Sequence, residues 1–440
     1  MLDTTTYRAF CAILEEELVP AMGCTEPIAV AFAAAKARQV LGEMPERAEV
    51  YCSANIVKNV KSVKVPNTGG MRGIDVAVIA GVLANAADRE LEVLEALKPE
   101  DRAGIGLLKE QGFCRVELAE GIEGLHIDVR LFAREGSAER SARVVVKDTH
   151  TGIRLIEKDG VELYPAGKAL SLVRASKVSS DRHEYALLNV RDIVAFAESV
   201  KLEDVAPVIR RQIAMNEAIA EEGLKGEYGV SVGKTLLGQR DRRDVRVRAR
   251  ALAAAGSDAR MAGCSMPVVI NSGSGNQGLT VSLPVVEYAR ELGADEERII
   301  RALVISNLIA LEQKEYIGKL SAYCGAVSAA AGAAAGIAWL EGGSLEIIGA
   351  AVSNAIATAG GILCDGAKSS CAAKIATALE AAILGEELAL KEGRHFSDGE
   401  GLVGPDVDAT IRNVGIVGSQ GMRPTDAHII RVMLGNGEEC

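Results

Sequence analysis

Seventeen consecutive residues from Cys324 to Leu340, CGAVSAAAGAAAGIAWL, carry almost only small apolar side chains. Within them Gly332 and Gly336 stand four positions apart, a spacing that lets two helices approach each other closely. A membrane-spanning helix needs about 20 strongly apolar residues. This segment is mostly alanine and is closed by Glu341 and two glycines. It therefore predicts a helix buried inside a soluble protein, without a membrane partner.

The composition predicts the same kind of core. Hydrophobic residues make up 48% of the chain, but aromatic residues only 3%, so closely packed small side chains must fill the interior. The net charge of −11 argues against a nucleic-acid partner, because phosphate binding needs a basic surface. No apolar stretch follows a basic start, which predicts a cytoplasmic protein without a signal peptide. An alanine-rich helical surface leaves a homodimer open.

The spacing of apolar residues divides the chain into three parts. Residues 1–46 predict two helices, with Thr25 as the N-cap of the second. In residues 47–185 the period changes to two, which predicts strands at 48–55, 113–119, 126–133 and 142–149. Residues 186–440 are helical to the end. The predicted class is α+β: a predominantly helical catalytic domain on which the N-terminal helices pack, with a smaller α+β domain inserted after them.

Several stretches that look like known motifs lack the context those motifs need. NSGSGNQG, from Asn271 to Gly278, matches GxGxxG, but the predicted elements around it form no βαβ unit, which weighs against a nicotinamide cofactor. GVSVGKT has one residue too few between its glycines for a P-loop. The histidines show no H-E-x-x-H spacing, so a zinc protease site is unsupported. The Arg-rich run from Asp241 to Arg250 predicts a solvated helix face.

Nine cysteines without a secretory signal indicate metal binding or reactive thiols rather than disulfides. Four of them stand at or just before a predicted helix start, where N–H groups and the helix dipole stabilise a thiolate. These four are Cys24, Cys324, Cys364 and Cys371. The cysteines that fit core packing instead are Cys11, Cys52, Cys114 and Cys264. From the pattern alone, all of them could be small buried hydrophobes, and zinc competes with iron as the metal.

Five segments together resemble the L-cysteine desulfidase-like family, which is related to the α-domain of iron–sulfur L-serine dehydratases. They are GCTEPIAVAFA, NTGGMRGID, GSGNQG, AYCGAVSAAAGAAAG and LCDGAKSSCAAKIATA. The resemblance spans essentially the whole chain, and its two segments bearing Cys324, Cys364 and Cys371 are the most specific. It implies that these three cysteines hold a [4Fe–4S] cluster with one open iron. It also implies that Cys24 is a base or a fourth ligand, and we assign it as the catalytic base.

The chain ends in Cys440, and the related serine dehydratases can end in a cysteine that folds back onto the open iron. The same arrangement is conceivable here, and a disordered terminus is the alternative. The predicted reaction converts L-cysteine to sulfide, ammonia and pyruvate. In it, the open iron assists the leaving group and Cys24 removes the α-proton. L-serine dehydration by the same cluster and a non-catalytic iron–sulfur or zinc protein that senses redox state are the alternatives; no motif demands pyridoxal phosphate.

Two glycine-containing loops are predicted to bind the anionic oxygens of the small amino-acid substrate through their N–H groups. The first loop contributes Asn67, Thr68, Gly69, Gly70 and Arg72, and the second contributes Ser274, Gly275 and Asn276. Each loop could equally be a plain turn between helices. Lys368 and Lys374 flank Cys371 and could either keep its thiolate ionised or simply be solvated.

Overall fold

The protein is described from a computed structural model that covers residues 2–122, 124–136, 138–164 and 182–434. Within these residues, many helices surround one mixed sheet, so the predicted α+β class with mostly helical content is confirmed. The domain boundaries after residues 46 and 185 stay a prediction. Cys440 lies outside the described residues, and so does its predicted contact with a metal centre.

The two predicted N-terminal helices are confirmed as α1 (Thr4–Glu17) and α2 (Thr25–Leu41). The prediction that Thr25 caps α2 is wrong. Cys24 has the extended backbone of the N-cap, and Thr25 is the first helical residue. The Thr25 hydroxyl donates instead to the carbonyl oxygen of Gly273 at 2.7 Å, which ties the start of α2 to a distant turn.

A short strand, β1 (Pro20–Met22), lies between these helices and pairs antiparallel with β8 (Pro267–Val269). Among the described residues this pair forms a separate two-stranded sheet. It holds the segment before α2 against the segment that leads into the glycine-rich turn from Asn271 to Gly278. A three-residue strand has no period of its own, so the sequence pattern could not reveal it.

The main sheet has six strands in the order β3-β2-β4-β5-β6-β7. They are β2 (Arg47–Cys52), β3 (Cys114–Leu118), β4 (His126–Glu135), β5 (Ala138–Lys147), β6 (Ile153–Lys158) and β7 (Val161–Tyr164). β2 and β3 run parallel, and every other neighbouring pair is antiparallel. All four predicted strands are present, but the first ends earlier than predicted, because the chain turns at Ser53 into α3 (Ala54–Val60).

Alternating side chains on β2, β4 and β5 form the inner face of the sheet and pack against α2. Val50, Val129 and Val144 are fully buried there. On its other side α2 meets α4 (Ile74–Ala84), where a Cβ on Gly81 would lie 2.1 Å from the carbonyl oxygen of Ala31. The helix is therefore clamped between the sheet and α4, and its N-terminus has a fixed position.

Further helices connect or follow the strands. Before β3 lie a 3₁₀ helix (Ala87–Ala96) and α5 (Asp101–Glu110). After β7 come α6 (Arg182–Tyr185), α7 (Val190–Ser199), α8 (Leu202–Lys225), α9 (Val232–Gln239), α10 (Val245–Met261), α11 (Gly275–Glu291), α12 (Glu296–Ile317), α13 (Gly325–Leu340), α14 (Leu345–Ala359), α15 (Ser370–Glu392), α16 (Val407–Ile416) and α17 (Arg423–Leu434).

The alanine-rich segment forms α13, which is surrounded by α11, α12, α14 and α15. A Cβ on Gly332 would lie 2.4 Å from the carbonyl oxygen of Ser306 in α12, and one on Gly336 would lie 2.9 Å from that of Ala302. The two glycines therefore let α12 and α13 touch through their backbones. In the described part of the chain, no helix combines the length and apolarity that crossing a membrane requires.

Replacing Gly332 with alanine is expected to lower the free energy of unfolding by about 1–3 kcal/mol, because the added methyl group overpacks the α12–α13 contact. Gly106→Ala in α5 is the matched control, since nothing lies within 4 Å of its Cβ. That variant is expected to gain up to about 1 kcal/mol from helix propensity. Urea unfolding followed by circular dichroism measures both values, and equal shifts in the two variants would contradict the packing argument.

Candidate active site

A cavity of about 100 Å³ lies where the N-terminal part of the chain meets the helices that follow the sheet. It is lined by the four cysteines that the sequence pattern singled out, namely Cys24, Cys324, Cys364 and Cys371. Four helices begin at this cavity: α2, α11, α13 and α15. Because the N-terminus of a helix carries a partial positive charge, the cavity favours an anionic occupant.

Cys324 and Cys364 are held side by side by a short antiparallel bridge between their preceding residues, Tyr323 and Leu363. The Cys324 N–H donates to the carbonyl oxygen of Ile362 at 3.1 Å, and the Cys364 N–H donates to that of Ala322 at 2.7 Å. Cys324 is also the N-cap of α13. The backbone thus fixes these two cysteines relative to each other before any ligand is considered.

Cys371 is the second residue of α15 and follows a tight turn. Gly366 has φ +93°, and a Cβ there would lie 2.3 Å from the carbonyl oxygen of Lys58, so the turn requires glycine. Asp365 pairs with both Lys368 and Lys374. Although burial opposes ionisation, these two lysines lower the pKa of Asp365 to about 2. Lys368 and Lys374 are therefore engaged with Asp365 rather than simply solvated.

Cys24 reaches the cavity from the end of the strand–helix connection. Gly23 before it has φ +47°, and a Cβ there would lie 2.3 Å from Cγ of Pro66. The Cys24 thiol donates to Oε2 of Glu26 at 3.0 Å. The same carboxylate accepts from Nδ2 of Asn59 at 2.9 Å. Two donors therefore hold the Glu26 carboxylate beside the Cys24 sulfur.

The ionised form of Glu26 is favoured although the side chain is buried. Burial acts to raise its pKa, but His150, the Cys24 hydrogen bond and Arg260 outweigh burial, so the pKa lies below its ordinary value. An ionised carboxylate next to Cys24 is the result. Burial and this carboxylate both raise the pKa of the Cys24 thiol.

Burial also raises the pKa of the Cys324 thiol to about 12 and that of the Cys371 thiol above its ordinary value. The backbone N–H of Ala326 acts in the opposite direction on Cys324, as predicted for a helix start, but it is weaker. The predicted helix-start effect is therefore present at Cys324, but burial outweighs it. Metal binding displaces thiol protons in such sites, so ionisation is coupled to loading.

Two basic side chains in the cavity were not predicted from the sequence. Arg260, from the last turn of α10, is 2% exposed, and Lys314, from α12, is 5% exposed. Burial lowers the pKa of Lys314 to about 8. The sequence carried no clear signal for either residue, because Arg260 closely follows Ser257 and Asp258, and Lys314 stands within a polar run from Glu312 to Glu315.

The thiols and positive side chains of the cavity are of the kind that an iron–sulfur cluster needs. In the parts of the chain that the structure describes, no three His, Cys, Asp or Glu side chains are placed to share one metal ion. In a [4Fe–4S] cluster each thiolate binds a different iron, so its ligands need not converge on one point. Three thiols with Arg260, Lys314 and Lys374 around them match the negative charge of such a cluster.

The two predicted substrate loops differ in position. Ser274 and Asn276 line the cavity, and Gly275 lies between them at the start of α11. In the glycine motif, Gly278 packs against the backbone of β8 with a would-be Cβ contact of 2.0 Å to the Val269 carbonyl oxygen. β8 belongs to an antiparallel pair with β1 rather than to a parallel βαβ unit. The glycine motif is therefore a turn that connects this short strand to α11.

The first loop lies away from the cavity. Asn67 donates from Nδ2 to the carbonyl oxygen of Leu94 at 2.9 Å, and the Thr68 hydroxyl donates to that of Val65 at 2.8 Å. Gly69, Gly70 and Arg72 are exposed and do not line the cavity. The structure therefore does not bring these five predicted residues to the cysteines.

A larger cleft of about 630 Å³ adjoins the cavity. The two share Lys314, Lys319, Leu320 and Ser321 as wall residues. The other walls of the cleft come from α1, α3, α17 and the loops of the main sheet. The cysteine-lined cavity therefore borders a space that is wide enough to admit a small molecule.

Sequence comparison with known proteins indicates the family of this chain. The family model described as serine dehydratase alpha chain matches residues 86–431, which include Arg260 and the three predicted ligands but not Cys24. A UPF0597 protein of Lachnoclostridium phytofermentans is 50% identical over 428 residues, covering 97% of this chain and 100% of the relative. UPF0597 proteins of Desulfitobacterium hafniense and Treponema denticola are 47% and 44% identical, covering 97% and 98% of this chain and 97% and 99% of their own lengths. The chain therefore belongs to the serine dehydratase alpha chain family.

Proposed function

We propose that this protein is an iron–sulfur-dependent lyase that removes the β-substituent of a small amino acid, with L-cysteine as its substrate. The observation that carries the proposal is the shared cavity of Cys24, Cys324, Cys364 and Cys371. Family membership supports an elimination, because a serine dehydratase is a lyase. The products are sulfide, ammonia and pyruvate.

In this proposal Cys324, Cys364 and Cys371 hold a [4Fe–4S] cluster. The three thiols and the positive side chains that line the same cavity support it. When bound, such a cluster supplies an open iron that acts as a Lewis acid toward the leaving group. The remaining chemistry belongs to the side chains of the cavity.

Cys24 is the proposed base, and Glu26 is its partner in proton transfer. The Cys24 thiol passes its proton to the Glu26 carboxylate 3.0 Å away, and the resulting thiolate takes the α-proton at Sγ; Glu26 returns its proton to Cys24 at the end of the cycle. The C–H electron pair forms the α,β double bond, and the β C–S bond breaks with its pair leaving on sulfide. The proton held by Cys24 then passes to the sulfide. The 2-aminoacrylate tautomerises to an imine, which adds water and releases ammonia to give pyruvate.

L-serine is the second candidate substrate, because the name of the matched family favours it. The same groups would then release hydroxide, as water, in place of sulfide. The two candidates differ in the leaving group and not in the proposed ligands or base.

An anaerobic purification followed by assays on both amino acids tests the proposal. We expect a brown protein that contains iron and forms pyruvate and sulfide from L-cysteine, with a higher kcat/KM than for L-serine. A higher kcat/KM for L-serine would instead select the second candidate. A colourless protein that contains zinc and has no lyase activity would overturn both in favour of a non-catalytic metal protein.

A further inference from the structure

Arg260 carries a buried charge that has no carboxylate partner among the described residues. Lys58 and Lys319, which are also largely enclosed, pair with Asp426 and Glu17. In the described parts of the chain, no acidic side chain lies within ion-pair distance of the Arg260 guanidinium, and its Nε has no hydrogen-bond partner there. The Nη1 atom of Arg260 donates a hydrogen bond to Oδ1 of Asn276 at 2.8 Å.

The guanidinium is built into the wall of the cavity. A Cβ on Gly275 would lie 2.4 Å from Nε of Arg260 and 2.6 Å from its Cζ, so only glycine leaves room for this group. Asn276 fixes one edge of the guanidinium from the first turn of α11. The side chain is therefore held in place by the helix that starts at the cavity, and it is not a mobile surface group.

Glu26 favours the charge of Arg260 from a distance but forms no recognised ion pair with it in the described structure. The Glu26 carboxylate already accepts hydrogen bonds from Cys24 and Asn59. An arginine keeps its proton even when buried, so its charge needs an anion from elsewhere. An occupant of the cavity is the remaining source, and a carboxylate matches the planar donor fork of arginine.

We propose that Arg260 binds the α-carboxylate of the substrate, so that the site takes free α-amino acids and rejects their carboxyl-modified forms. The proposal rests on the proposed function, because it needs the amino acid to bind in the cysteine-lined cavity. It assigns to Arg260 the role that sequence reasoning gave to Arg72, whose side chain is exposed away from the cavity. Asn276 is then a positioning residue for the guanidinium.

The test compares L-cysteine with L-cysteine amide, which keeps the amino group, the α-proton and the thiol but loses the carboxylate charge. Wild-type protein, loaded with iron, is expected to bind and convert the free acid in clear preference to the amide. In Arg260→Gln the KM for L-cysteine is expected to rise on the order of 100-fold, since a buried charged contact is lost. The KM for the amide should hardly change, so the preference disappears.

Arg260→Lys keeps the positive charge but removes the planar pair of guanidinium donors, so we expect a smaller rise in the KM for L-cysteine. This variant replaces Arg260→Gln in the test if the glutamine variant fails to fold. Arg250→Gln is the matched control, because Arg250 is a buried arginine of the same helix that pairs with Glu380 outside the cavity. That variant should keep the preference of the wild type. Iron content is measured for every variant.

Calorimetric titration of the same proteins with the acid and the amide separates the failure of this proposal from that of the proposed function. Absence of turnover with intact, Arg260-dependent binding of L-cysteine would overturn the lyase function and support the carboxylate site. Equal binding of acid and amide by the wild type would overturn the carboxylate site. The carboxylate site would also be overturned if Arg260→Gln lost its iron but still preferred the acid to the amide. In that case the positive charge of Arg260 would serve to compensate the negative charge of the thiolates.

Discussion

Cys24→Ala is expected to purify with the iron content of the wild type and to lose about 10²–10⁴-fold in kcat. This result is expected because the proposed base and the proposed cluster ligands come from different parts of the cavity wall. Cys24 enters it on α2 and hydrogen-bonds to Glu26, whereas the three proposed ligands come from the starts of α13 and α15 and the turn between α14 and α15. Iron analysis, the visible spectrum and pyruvate formation under anaerobic conditions measure both effects.

Cys24→Ser is the conservative control for this prediction. A hydroxyl can still donate to the Glu26 carboxylate, so the arrangement around the start of α2 should persist, but an alkoxide is too basic to form readily and activity should stay low. If Cys24→Ala instead loses its iron, Cys24 is a metal ligand and the base lies elsewhere. If it keeps both iron and activity, Cys24 has no part in the reaction.

The parts of the fold with strong periodicity were predictable from the sequence. The helix α1 and the strands β2 to β5 rest on apolar spacing that extends over several turns or alternations, whereas α13 was indicated by a continuous run of small apolar residues. β1 and β8 were missed because three residues carry no period and their pairing is set by the tertiary structure. The end of β2 was misplaced because Ser53 starts a helix that the alternation could not indicate.

The site was predictable where a residue type is itself informative. Cysteine is rare enough to be noticed one residue at a time, and the four that were noticed line one cavity. The predicted position at a helix start is wrong for Cys364, which lies in the turn that precedes α15. Arg260 and Arg72 show the limit of this reasoning. Both are arginines near glycines in the sequence, and what distinguishes them is burial and the absence of a partner, which depend on how α10 meets α11.

The ionisation of the thiols shows the same limit. The helix-start effect predicted from sequence is present at Cys324, through the N–H of Ala326, but burial is the larger influence and raises the pKa. A sequence indicates which groups stand at a helix terminus, whereas the extent of desolvation depends on everything packed around them. Assembly of the proposed cluster would therefore have to displace the thiol protons.

Cys371→Ala is expected to lose most of its bound iron and its elimination activity altogether, and Cys324→Ala and Cys364→Ala should behave alike. Loss of one of the three proposed ligands leaves an iron without its thiolate, and the remaining cysteine of the cavity, Cys24, is held at the Glu26 carboxylate by a hydrogen bond of 3.0 Å. Iron and sulfide analysis after anaerobic reconstitution, together with the visible absorption of the cluster, measures the loss without depending on turnover.

Cys114→Ala is the matched control, since Cys114 lies on β3 in the main sheet and does not line the cavity. It should bind as much iron as the wild type and retain its activity. Equal stability of the two variants in thermal unfolding without metal would exclude general misfolding as the cause of iron loss in Cys371→Ala. Should Cys371→Ala bind a full complement of iron, the thiols around this cavity would be packing groups, and the starts of α13 and α15 would owe their arrangement to the helix contacts alone.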